Sequence, residues 1–289
     1  EQAIERSHEP SHLHYLAAKV ALDRCESSHA RHHLESIHEE GSFNEIEMNL
    51  AYLEGRIEDA EIAITKGLEI GSQQQKNQLA LSASSRRLDD RVETTLSKQT
   101  IGEIKHYLSQ IVLPNEPSLR AVTLVALTMV QHALALHEEN YVKAETLRAT
   151  LVSIGGIDDA LVLGLEAKAS LAKAKKSNKE FSSAVGITRK AIEQQISPIH
   201  RESLRLTLVE ALLEHDIELA RAEFLFVSQP DESAIHISHQ RLHARWWTCS
   251  SQLEPSMRQI ALKEAISKHR AAGCPRAANI LEARLHSFL

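Results

Sequence analysis

The chain is expected to be all-α: a right-handed superhelix of about seven antiparallel helix pairs, ended by a C-terminal capping helix. Three observations carry that expectation. A bulky apolar residue, a small or apolar one three positions on, and another seven further recur as Ile57-Ala60-Gly67, Ile101-Ile104-Ile111, Tyr141-Ala144-Leu151, Phe181-Ala184-Ala191 and Ile217-Ala220-Val227. Their middle residues step by 44, 40, 40 and 36 positions, and a fixed period of this size marks stacked repeats. Apolar residues make up 43% of the chain but aromatic ones only 4%, a balance that suits helices meeting closely through small side chains. The ten Gly and seven Pro fall mostly between periodic stretches, where helices end.

Read in order, residues 1–41 form an atypical N-terminal hairpin, 42–272 the repeats and 273–289 the capping helix. Gly41-Ser42 is expected to close the His-rich first segment. Gly71 ends the helix that holds Ala60, and Ser72 caps the next. Pro114 and Pro117 bracket a turn, Gly155-Gly156 marks another and Ser197-Pro198 a third. The stretch 228–233 is a fourth turn, with Asp231 or Ser233 as cap, and Gly273-Cys274-Pro275 is a fifth. Met257 and Ile260 continue the phase of Ile217 and Ala220. In the last helix, Ile280, Leu281 and Leu285 are expected to face inward. About fifteen helices result.

A formal charge of -6 gives no general electrostatic drive to bind nucleic acid. Cys25, Cys249 and Cys274 are too few and scattered for a disulfide framework, and read as thiols in a reducing, cytoplasmic setting. The longest apolar-type run, Ala121 to Val130, is about half of what spans a bilayer and reads as a buried helix, so no membrane partner is expected. No signal peptide is visible in the polar start EQAIERSHEP, and without an initiating Met the chain is expected to be a fragment or a processed product.

Chemical motifs are sparse. His8-Glu9-Pro10-Ser11-His12 matches the zinc-protease pattern in form, but Pro10 would break the helix that must place both histidines on one face. His29 and His33 lie one helical turn apart, and His236, His239 and His243 share another face; neither set has a Cys or carboxylate cluster beside it. Cys249 and Cys274 read as free thiols. Carboxylates are spread over helix faces, and no phosphate loop, dinucleotide fingerprint or nucleophile elbow is present. No catalytic residue, metal or cofactor is expected. The one aromatic concentration, Trp246-Trp247 beside Arg245, is a candidate interface.

Two segments carry a family resemblance. Leu50 to Ile70 places Gly55, Ile57, Ala60, Ile64 and Leu68 at the turn, bulky, small and apolar positions of a tetratricopeptide repeat. Asn178 to Ile192 is similar through Phe181, Ala184, Ala191 and Ile192. The first helices depart from that family: Asn44 and Glu47-Met48 in one unit, and Leu204 and Thr207-Leu208 in another, stand where Trp and Leu-Gly are usual. The period is also longer than the family's 34 or so. Over residues 42–270 the chain resembles the tetratricopeptide-like sensor regions of large bacterial transcription activators of the maltose-regulator type.

That resemblance implies a concave surface lined by first helices. Carried over by position, it includes Asn49 and Tyr52, Asp89 and Glu93, Ala133 and Leu136, Lys173 and Lys176, and Arg205 and Val209. The implied function is a non-catalytic regulatory domain holding a protein or peptide partner, or a small effector, in that groove. A scaffold acting through protein interfaces, including a homodimer, is the alternative.

Overall fold

A computed structural model describes residues 10–38, 40–92, 96–154, 158–174 and 178–288. Among these residues there are fifteen α-helices and no strand. The first half comprises α1 (Pro10–Asp23), α2 (Ser27–Leu34), α3 (Glu40–Leu53), α4 (Ile57–Ile70), α5 (Gln73–Asp89), α6 (Lys98–Ser109), α7 (Pro117–His137) and α8 (Tyr141–Ile154). The second comprises α9 (Asp159–Ala174), α10 (Asn178–Gln194), α11 (Pro198–Leu213), α12 (Ile217–Phe224), α13 (Ile237–Leu253), α14 (Arg258–Ala271) and α15 (Pro275–His286). Helices pack as consecutive pairs, α1 with α2 through α13 with α14, and α15 adds to the last.

The small position of the repeat explains how closely the pairs approach. Ala60, Ile104, Ala144, Ala184 and Ala220 are all buried. At Gly67 a methyl group would run into Leu79 and stand 2.9 Å from Asn44 Cβ, so α4 meets both α3 and α5 through that glycine. The phase then slips. Met257 is 38% exposed and Ile260 54%, while Ala261 is fully buried. A 3-10 turn at Pro255–Met257 precedes α14 and shifts the register by one.

Most turn chemistry follows the sequence. Ser72 forms a capping box: Gln75 N donates to its Oγ (3.4 Å) and its own N donates to Gln75 Oε1 (2.9 Å). Ser197 and Glu116 cap α11 and α7 ahead of Pro198 and Pro117. Two expectations change. Gly41-Ser42 lies in the first turn of α3 instead of closing a helix. Asp231 folds back on Ser233, and His236 caps α13 by accepting from Ser238 N (3.2 Å). Gly155-Gly156 lies outside the described residues.

First helices of successive pairs also touch: α1 on α3, α3 on α5, α5 on α7, α9 on α11 and α11 on α13. Between α7 and α9 this contact is marginal, and α8 makes the connection instead. The core divides at the same place. Ala18 to Leu134 supply the first-half clusters, and Ala167 to Leu253 form the largest cluster, around Leu206, Leu208 and Leu212. Each such leucine contributes about 1.5–3 kcal/mol through burial.

The end of the chain returns to the first half. Asp90, just past α5, accepts from the backbone N–H groups of Arg276 (3.3 Å) and Ala277 (2.9 Å), supplying the N-terminal cap that α15 lacks locally. Arg86 donates to Ala272 O (3.4 Å), and Arg276 pairs with Glu61 (3.1 Å) and Glu103 (3.6 Å). α13 touches α1 as well. The last helix is therefore seated on the second and third pairs. Leu281 and Leu285 face inward as expected, whereas Ile280 is 40% exposed.

Candidate functional site

The return of the chain gathers charge. Arg241 of α13 pairs with Asp89 at the end of α5. Arg245, one turn on, makes a two-pronged bond to Glu210 of α11 (2.7 and 2.9 Å) and donates to Ser203 and Thr207 (3.0 Å each). Arg86 is buried and donates to Asn49 Oδ1 (2.9 Å); its guanidinium is lowered to about 10, first by burial and then by Arg241. Asp90 is pushed above the usual carboxylate range by burial, against the two N–H groups it caps.

Lys168 lies on α9. Its side chain is exposed to solvent, yet its ammonium is held below the ordinary lysine value, first by desolvation and then by Arg245 and Arg91. Asp89 and Glu210 oppose that shift without cancelling it. Arg91 is lowered by burial and by Arg245, against Glu210. Burial works against Arg241 and Arg245 too, but their carboxylate partners hold both above the usual range. Arg241 and Arg245 thus gather Asp89 and Glu210 along one side of α13, next to buried Arg86 and Asp90 at the end of α5.

The expected groove residues divide. Asp89 belongs to this neighbourhood, as does the interface candidate Arg245, and Asn49 adjoins it through Arg86. Tyr52 and Val209 do not line a surface. Tyr52 is 1% exposed and accepts from buried Arg87, whose guanidinium lies 5.9 Å from its ring centroid. Val209 is fully buried in the second-half core. Both face neighbouring helices because this part of each first helix is sandwiched between pairs. Arg205 is tied to Glu202 (3.0 Å) and Phe226 O (2.8 Å) at the turn after α12. Ala133 and Leu136 are half-buried on α7. Lys173 is exposed on α9, about 140° round the helix from Lys168. Glu93 and Lys176 lie outside the described residues.

The tryptophans are packing residues. Trp246 sits 5.2 Å from Phe224 and edge-on to Trp247 at 4.8 Å, each against a different core cluster. Arg245 is fully engaged within the chain, so the three do not form an exposed anchor. The histidine sets also separate. His29 bonds Glu26 (3.0 Å), His33 meets His14 (3.1 Å), and His243 contacts Pro230 O while His236 caps α13. Among the described residues no group of three metal-ligating side chains occurs. The cysteines are free, and burial raises Cys274 to about 12 and Cys249 further, which removes thiolate character from both.

Sequence reasoning missed Arg86, Arg91, Lys168 and Arg241. One local signal was present, the charge-dense stretch Ser84-Ser85-Arg86-Arg87-Leu88-Asp89-Asp90-Arg91 at a helix end. Arg241 carried none, since its partner Asp89 stands far away in the chain. No family model, curated protein or solved structure matches this chain.

Proposed function

We propose that the chain is a non-catalytic, regulatory binding domain of the cytoplasm. In this reading the pairs form a right-handed superhelix whose ends meet, and a protein segment, peptide or small effector is held against the first helices. The observation that carries the reading is the convergence of α5, α11 and α13 on one partly exposed, charge-lined neighbourhood. Binding there bridges helices from both halves, so occupancy couples directly to how firmly the chain end is seated. The resemblance to sensor regions of bacterial transcription activators adds the expectation that an attached or partner protein reads that change.

Native mass spectrometry of protein purified gently from its own cells tests this. Extra mass of a few hundred daltons that is lost on denaturation is the expected result for an effector. Bare protein that also captures no partner segment would overturn the reading.

A scaffold reading has one observation of its own. Leu119 (41% exposed), Val122 (70%) and Val152 (55%) lie towards the same end of the α7–α8 pair. A concentration-dependent dimer lost in Val122→Glu would favour it.

A further inference from the structure

Helical spacing pairs His29 with His33 on α2, but the structure pairs His33 with a histidine of α1. His29 turns to Glu26, its Nδ1 3.0 Å from Oε2. Nδ1 of His33 lies 3.1 Å from Nδ1 of His14, across the α1–α2 hairpin, and the ring centroids are 5.3 Å apart. Both side chains are half-buried. His33 also lines a groove between the two helices, together with His29, Glu26, Leu16 and Val20. Leu16 and Val20 are 44 and 56% exposed, so the groove is open to water.

Two Nδ1 atoms this close can share either a proton or a cation. As a hydrogen bond, one ring donates and the other accepts, which requires unlike tautomers. If the donor ring carries its proton on Nε2 instead, both Nδ1 lone pairs are free for one metal ion, and no proton is gained or lost. Two zinc–nitrogen bonds of about 2.0–2.1 Å, opened by about 90–109°, hold their nitrogens about 2.9–3.4 Å apart. The observed 3.1 Å falls within that span.

We propose that His14 and His33 bind one divalent transition-metal ion, of the zinc, nickel or copper class that imidazole suits, through their Nδ1 atoms. Among the described residues no third protein ligand completes a set, so water fills the remaining positions. Such an ion is a brace between helices. α2 is where a brace has most effect: it has eight residues, and its N-cap Glu26 makes no side-chain capping bond. Helices this short are marginal by themselves. Ala30 and Leu34 hold α2 to Ala18, Ala21 and Leu22 of α1, and α1 packs on α3 and touches α13. The metal therefore firms the first pair of the stack. This site is separate from the charge-lined neighbourhood and goes beyond the binding-domain reading, which stands or falls independently.

The full chain, stripped with chelator, is titrated calorimetrically with Zn²⁺, and hydrogen exchange of α2 is followed with and without the ion. Wild type, His14→Asn, His33→Asn and the control His29→Asn are compared. Wild type and His29→Asn should bind zinc with slowed exchange in α2. Apparent affinity should be at least tenfold weaker in the other two, with α2 indifferent to zinc. Electron paramagnetic resonance of the Cu²⁺ form reads the ligands directly, even where a substitution loosens the hairpin: each pair variant should show one coordinated ring nitrogen fewer than wild type. Zinc bound equally by either pair variant, an unchanged nitrogen count, or wild-type α2 exchange unmoved by zinc would overturn the proposal and leave the contact as a hydrogen bond.

Discussion

Two regions of this molecule reverse what hydropathy alone would assign. The run Ala121 to Val130 on α7 is the most apolar part of the chain, and α7 is the one described helix long and apolar enough to cross a membrane. Yet Val122 is 70% exposed and Leu119 41%, and burial starts only near Thr128 and Val130. The expectation of a buried helix there holds for its second half alone. The seam around α5 is charge-dense, yet Arg86, Arg87 and Asp90 are 7, 2 and 8% exposed. What buries a segment in a stack is the next helix, not its own composition. α7 lacks close contact with α9, whereas α5 receives α3, α7 and the returning chain end.

The largest expected effect comes from acid and is shared by both regions. His132 on α7 and His269 on α14 are both buried, and burial lowers each to about 4. Depressed histidines favour the folded state above the unfolded value of about 6.5, and that contribution is lost as pH falls from there towards 4. Both contributions should disappear over this window, together a few kcal/mol at about 1.4 kcal/mol per pKa unit. Urea unfolding at pH 7 and pH 4.5 checks the sign; the decline should shrink in His132→Asn and in His269→Asn.

Arg87→Met tests the seam next. Arg87 is 1% exposed by side chain, lies between the rings of Tyr52 and Tyr107, and pairs with Glu61 and Glu103 (2.7 Å to the latter). Its loss leaves Glu61 and Glu103 with Arg276 as their one shared cation and should cost on the order of 3 kcal/mol, reduced by Arg276 and by water reaching the partly exposed acids. Chemical denaturation measures it. Smallest is Val122→Lys on α7, which should move stability by less than about 0.5 kcal/mol despite lying in the most apolar segment. A loss above about 1.5 kcal/mol would mean that α7 is covered in solution and that the comparison fails.

These regions also explain what was legible in the sequence. The small positions Ala60, Ala144, Ala184 and Ala220, the caps at Ser72 and Ser197 and the pairing of helices are local, written within a period of each other. The slip after Ile217, which exposed Met257 and Ile260, came from one short 3-10 turn that periodicity cannot register. Tyr52 and Val209 were placed on the groove by position within a repeat, but a position does not say which face a neighbouring pair covers. The charge cluster at the end of α5 was illegible because Arg241 and Asp89 stand 152 residues apart and Asp90 meets Ala277 across 187.

The seating of α15 on the turn after α5 is the central claim, and hydrogen exchange of wild type against Asp90→Ala tests it most directly. Slow exchange at the amides of Arg276 and Ala277 is expected in wild type, with both accelerated in the variant along with the rest of α15. A global loss of about 1–2 kcal/mol should accompany this, as for a removed helix cap. Equal exchange of α15 in the two proteins would contradict that seating.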